Sequence, residues 1–232
     1  MPLTTPFDTV IFDLDGTVSD SAPGILASLD HAFTDTGLTP PKNLVRFIGP
    51  PFQTAFEAEG FSTEQIRSLL ESYRDHYWDT GAFVNTVYPG VESVLTALAS
   101  EGYRLAIATS KPEPTARRIL EYFGFTSRFE IIGGATFDMG RATKADVLGY
   151  VLDQLHICEP VMVGDRYHDV QGSAAFDIPC IGVNWGYAAP DELFEAGARW
   201  IIDHPEQIFD IVHRKLRLPI NLPKQPIGPL RI

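Results

Sequence analysis

The chain has 232 residues and a formal net charge of −12, with 30 acidic residues against 18 Lys and Arg. That length suits one large domain or a core with a smaller insertion, and 44% hydrophobic content excludes a mainly disordered chain. The acid excess argues against a nucleic-acid polymer or an anionic membrane as partner, because binding either depends on Lys and Arg displacing counterions. It leaves room for a small phosphorylated metabolite bound locally.

Cys158 and Cys180 are the only thiols, too few for a disulfide framework. Met1 to Pro6 has no basic leader, and no stretch approaches the roughly 20 apolar residues of a membrane span. A cytoplasmic protein, monomer or homodimer, is expected.

In chain order, Val10-Ile11-Phe12 reads as a buried strand running into Asp13-Leu14-Asp15-Gly16-Thr17. Residues 20–84 break the strand rhythm. Ile25, Leu29, Ala32 and Phe33 recur at helical spacing, as do Ile66, Leu69, Leu70, Tyr73 and Tyr77, so this segment is expected to be an all-helical cap. Tyr73, Tyr77 and Trp78 are expected to pack within it, and His31, His76 and His168 show no ligand spacing.

Past Tyr88-Pro89-Gly90, strands are expected at Arg104–Ala108, Phe129–Ile132, Val161–Val163 and Cys180–Val183. Helices are expected at Pro112–Phe123, Thr143–Leu155 and Asp169–Phe176. Such alternation implies a doubly covered, mostly parallel sheet with right-handed crossovers, an α/β Rossmann-like core. The core would take residues 1–19 and 85–215, the cap 20–84. The four prolines from Pro219 onward mark residues 216–232 as a separate tail.

Two carboxylates one residue apart at a strand end are poorly explained by turn-making, since like charges raise each other's ionisation cost. Gly164-Asp165 with Asp169 repeats the theme at another strand end. Asp13, Asp165 and a backbone carbonyl near Asp15 suit the hard oxygen shell of Mg²⁺. Thr109-Ser110-Lys111-Pro112 presents hydroxyls and N–H groups at a helix start, where an anion binds. Lys144 stands near a helix N-terminus, where a cation gains nothing from the dipole. Lys144 is favoured over Lys111 as the phosphate contact, with Lys111 a contender.

With these residues in view, the sequence resembles the haloacid dehalogenase superfamily of phosphotransferases. Four motifs occur in the expected order: Asp13-x-Asp15-Gly16-Thr17, Thr109, Lys144, and Gly164-Asp165-x-x-x-Asp169. The helical insertion after the first motif is similar to the capped phosphoglycolate phosphatase-like branch. The stretches around Thr109 and Lys144 look like members described as 5′-nucleotidases. Ser110 departs from the commoner Asn, and Lys144 lacks a frequent following Pro.

The resemblance implies a Mg²⁺-dependent phosphatase of a small phosphomonoester, such as phosphoglycolate or a nucleoside 5′-monophosphate, working through an aspartyl-phosphate. Asp13 would be nucleophile and Asp15 general acid and base. Thr109 and Lys144 would stabilise the phosphoryl group, and Asp13, Asp15 and Asp165 would serve the metal, with Asp169 in support. Ser110, Arg46 and Gly49 would meet substrate, the last two from the cap loop. A sugar phosphomutase of the same superfamily and a non-catalytic phosphate-sensing or partner-binding module are the alternatives.

Overall fold

The computed structural model describes residues 7–49, 52–138, 140–155 and 159–213. Cys158 and the proline-rich tail at 216–232 lie outside the described residues.

The core is a six-stranded parallel sheet in the order β5-β4-β1-β6-β7-β8. Its strands are β1 (Thr9–Phe12), β4 (Arg104–Pro112), β5 (Ile131–Ala135), β6 (Pro160–Gly164), β7 (Cys180–Val183) and β8 (Trp200–Ile202). Each strand sends alternate residues to opposite faces. Val10, Phe12, Leu105, Ile107, Val161 and Val163 enter one apolar cluster, with helices α4 (Val91–Ser100), α5 (Glu113–Tyr122) and α9 (Glu206–Val212). Ile11, Ala106, Ala108, Met162 and Cys180 enter the other, with α6 (Lys144–Leu155), α7 (Tyr167–Ala174) and α8 (Glu192–Ala196). Burial on both faces explains why the strands read as continuous apolar runs.

After β1 the chain makes two tight turns, with Val18 N and Ser19 N both donating to Leu14 O. It then forms the two-residue strand β2 (Ser19–Asp20), paired antiparallel with β3 (Thr86–Val87). The segment between β2 and β3 is helical: α1 (Ala22–Thr36), α2 (Phe52–Ala58) and α3 (Thr63–Asp79), joined by short 3₁₀ turns. A capping box formed by Ser62 and Gln65 starts α3. Phe33, Phe47, Phe56, Phe61, Phe52 and Tyr73 pack against one another within the cap, edge-on or tilted except for Phe52 stacked on Phe56.

Three expectations are corrected. The third core strand begins at Ile131 rather than Phe129, because residues Thr126–Arg128 close a 3₁₀ turn first. The ribbon β2–β3 and the C-terminal β8 and α9 are additional elements; two-residue strands and a Trp-Ile-Ile run carry too little periodicity to be read. Trp78 is exposed, and its ring takes the guanidinium of Arg118 from core helix α5 at 4.4 Å, rather than packing within the cap.

Candidate active site

The site forms at the C-terminal ends of β1, β4 and β6. The chain runs from β1 outward through β4 and β5, then crosses back to β6 on the other side of β1. That reversal leaves a crevice beyond the strand ends, where open α/β sheets bind ligands. Asp13 follows β1 and stays in the ladder through its N–H to Val163 O at 2.9 Å. Asp165 follows β6, and Asp169 sits in the first turn of α7.

Carboxylate oxygens of Asp13, Asp165 and Asp169 all lie within 4.8 Å of one another. Lys144 joins them from the first position of α6. Its ammonium lies 2.9 Å from Asp13 Oδ1 and 2.7 Å from Asp169 Oδ1, and donates to Ala108 O at 2.9 Å. Three acceptors around one buried ammonium explain why a lysine stands at a helix start that disfavours it. Burial alone would depress Lys144, but Asp13 and Asp169 outweigh it and hold the ammonium above its usual range.

The three carboxylates differ in what remains open. Asp169 is fully buried, with Lys144 on one oxygen and Arg166 N on the other at 3.0 Å. Asp165 is fully buried too; it accepts from Tyr187 N at 2.7 Å and from the Thr17 hydroxyl at 3.3 Å. Asp13 is 8% exposed, and its Oδ1 takes both Leu14 N and Lys144. Its Oδ2 therefore has no protein partner among the described residues. Burial pushes Asp13 up to about 6 despite Lys144, with Asp169 adding to the rise. Burial beside Asp169 and Asp13 raises Asp165 as well.

Three buried carboxylates against one ammonium leave a deficit of positive charge, and the donors are hard oxygens. The set fits a divalent cation such as Mg²⁺. With both Asp169 oxygens engaged, Asp13 and Asp165 are the side chains that would hold the ion, and Asp169 the one that orients Lys144.

Close packing around Asp165 explains several glycines. Gly16 has φ +81°, and a Cβ there or at Gly186 would collide with the Asp165 carboxyl. A Cβ at Gly172 in α7 would stand 2.7 Å from Lys144 Cγ. The helix thins at that point to admit the lysine stem.

Asp15 is not part of the cluster. Its side chain turns toward β4, where Oδ2 lies 3.0 Å from Lys111 Nζ. Its Oδ1 is buried with no hydrogen-bond partner among the described residues. As a metal ligand Asp15 is thus left with its main chain alone. Thr109 is buried at the end of β4 and accepts from Lys111 N at 3.2 Å, and Ser110 beside it is exposed.

Of the cap residues, Gly49 lies directly over the Arg166 side chain, whose Nη1 donates to Ile48 O at 2.7 Å. Arg46 is not brought to the carboxylates: it pairs with Glu59 and lies over the Phe47 ring, both within the cap.

Several residues that shape the site escaped sequence reading. Arg166 ties the cap loop to the core and is fixed by Glu192, whose Oε1 accepts from its Nε at 2.7 Å. Tyr187, in the loop after β7, holds Asp165 through its N–H. Its hydroxyl accepts from Ser21 N and Ala22 N at the start of α1. Tyr77, on cap helix α3, accepts through its hydroxyl from Lys111 Nζ at 2.7 Å. The turn residues Asn184 to Gly186 were the one available signal that a loop closes there.

Residues 10–183 match the haloacid dehalogenase-like hydrolase family. The chain belongs to that family. Among curated relatives, a protein of Mycobacterium tuberculosis named tyrosine-protein kinase PtkA is 44% identical over 87% of this chain and 70% of its own length. A 5′-nucleotidase of Pseudomonas aeruginosa is 35% identical over 81% of this chain and 87% of its own. Among solved structures, a predicted phosphatase from Clostridium acetobutylicum superposes with a TM-score of 0.83 at 35% identity, covering 90% of this chain and 99% of that one. The chain is a hydrolase with the fold of phosphatases. No helix among the described residues is long and apolar enough to cross a membrane.

Proposed function

We propose that this protein is a Mg²⁺-dependent phosphatase that hydrolyses a small phosphomonoester through an aspartyl-phosphate on Asp13. The observation that carries the reading is the state of Asp13. It alone of the three clustered carboxylates reaches solvent, with one oxygen fixed by Leu14 N and Lys144 and the other free.

Asp13 Oδ2 attacks phosphorus, forming a P–O bond to the carboxylate as the bond to the ester oxygen breaks. Asp15 delivers a proton to that departing oxygen, then takes one from the water that hydrolyses the acyl phosphate. Lys144 and the hydroxyl and N–H groups around Thr109 and Ser110 offset charge on the transferring oxygens. When bound, Mg²⁺ would neutralise the phosphoryl oxygens that Asp13 must approach. Nucleoside 5′-monophosphates are the substrate class that the 5′-nucleotidase relative supports, and phosphoglycolate the one supported by a phosphoglycolate phosphatase of Cupriavidus necator, 29% identical over 89% of this chain and 93% of its own length.

The test is release of inorganic phosphate from a panel of phosphomonoesters, with and without EDTA, by the wild type and by Asp13→Asn. Hydrolysis that EDTA and the substitution both abolish is expected; substantial activity in the Asn variant overturns the nucleophile.

The mycobacterial relatives favour one second reading, transfer from a nucleoside triphosphate to a protein tyrosine rather than to water. γ-Labelled ATP discriminates: label on tyrosine favours transfer, and label in free phosphate favours hydrolysis. Appearance of an isomerised sugar phosphate would instead mark a mutase.

A further inference from the structure

Resting on the phosphatase reading, we infer that Tyr77 and Lys111 are positioning residues, a cap-to-core strut that aims the proton donor Asp15 at the leaving group. Three side chains from three places in the chain form one line: Tyr77 of cap helix α3, Lys111 at the end of β4, and Asp15 after β1. Lys111 Nζ lies 2.7 Å from the Tyr77 hydroxyl and 3.0 Å from Asp15 Oδ2. Lys111 and Tyr77 are buried, 8% and 5% exposed, and the Asp15 side chain is 21% exposed.

The contact with Lys111 is the decisive detail. It holds Asp15 by Oδ2 and so fixes the direction of the carboxyl. As the phosphorus–oxygen bond breaks, its electron pair stays on the leaving oxygen and a proton passes from the Asp15 carboxyl to that oxygen.

Lys111 cannot fix Asp15 unaided. Its stem is flexible, and its ammonium needs a second anchor to hold one direction. That anchor is Tyr77, itself held by stacking on Tyr73 at 5.4 Å, and Tyr73 in turn meets the Phe52 ring edge-on at 4.6 Å. The strut exists only with α3 seated over the crevice. The donor is therefore fully aimed only when the cap is closed and water is excluded from the site.

Leaving-group dependence tests this, because an aryl oxide of low basicity departs with little help from an acid and an alkoxide does not. The measurement is kcat/KM, which covers steps only through transfer to Asp13, for p-nitrophenyl phosphate and for the alkyl phosphomonoester the wild type hydrolyses fastest. General acids contribute about 10² to 10⁴ in rate, so Tyr77→Phe is expected to lower the alkyl-to-aryl ratio of kcat/KM about tenfold. Lys111→Gln should lower it further. Thermal melts establish that both variants are folded; Tyr77→Phe keeps the ring stack. An equal fall for both esters, or an unchanged ratio, overturns the strut. A wild type that hydrolyses neither ester overturns the phosphatase reading itself.

Discussion

Asp13 works against the stability of the fold that carries it. Burial is the largest influence on its carboxyl and, together with Asp169 and Asp15, outweighs the attraction of Lys144, raising it from 3.8 to about 6. A value raised in the folded state means that the folded chain binds this proton more tightly than the unfolded chain. The group therefore favours folding most below about pH 4, loses that contribution as the pH climbs toward 6, and leaves its full penalty above it. At 1.36 kcal/mol per pH unit the penalty is about 3 kcal/mol in metal-free protein. Asp13→Asn removes the charge and keeps a carbonyl that can still accept from Leu14 N and Lys144. In EDTA at about pH 7.5 the variant should be more stable than wild type by up to about 3 kcal/mol, a rise of about 6–12 °C in Tm for a chain of this size. Urea denaturation and thermal melts at about pH 7.5, 6 and 4.5 measure it, and the gain should shrink across that series as wild type takes up its proton. Added Mg²⁺ should reverse the ranking by binding the carboxylate of the wild type. An Asn variant less stable than wild type in EDTA at the highest pH, or a gain that does not change with pH, refutes this account of the cluster.

Two further substitutions probe the same site. Lys144→Met strips the one ammonium from among three buried carboxylates; loss of a buried partner costs about 3–5 kcal/mol, so a matching fall in urea stability together with lost phosphatase activity is expected. Gly172→Ala places a methyl 2.7 Å from Lys144 Cγ, so the ammonium must withdraw from Asp13. Its kcat should fall at least about tenfold with a Tm change of only a few degrees, since Ala is otherwise the better helix former.

The parts of this site that read from sequence are those where a residue type conflicts with its local setting. Two aspartates after a buried strand and a lysine at the positive end of a helix each make poor local sense, and each is resolved by a contact across the sheet. The core strands read well for the opposite reason, being apolar runs whose neighbours agree with them. What stayed hidden lacks a local anomaly. Tyr77 falls on the buried stripe of an amphipathic helix and scores as packing, although its hydroxyl reaches Lys111 of the core. Arg166 looks like an ordinary surface arginine until Ile48 O and Glu192 are found on either side of it. Arg46, a cation in the cap loop that meets the core, pairs instead with Glu59 within the cap.

These two kinds of contact divide the chemistry from its control. Asp13, Asp165, Asp169 and Lys144 all belong to the sheet-based core and keep their geometry through hydrogen bonds to β6, β4 and the start of α7. Among the described residues, no hydrogen bond or ion pair to that set comes from the cap. Asp15 depends on the cap, because Lys111 answers to Tyr77, and the cap loop is tied down by Arg166, the residue next to Asp165. Cap residues therefore bear on proton delivery and on seating, while the nucleophile and Lys144 are held without them. Substitutions in α3 should consequently alter which leaving groups are accepted before they alter attack at phosphorus.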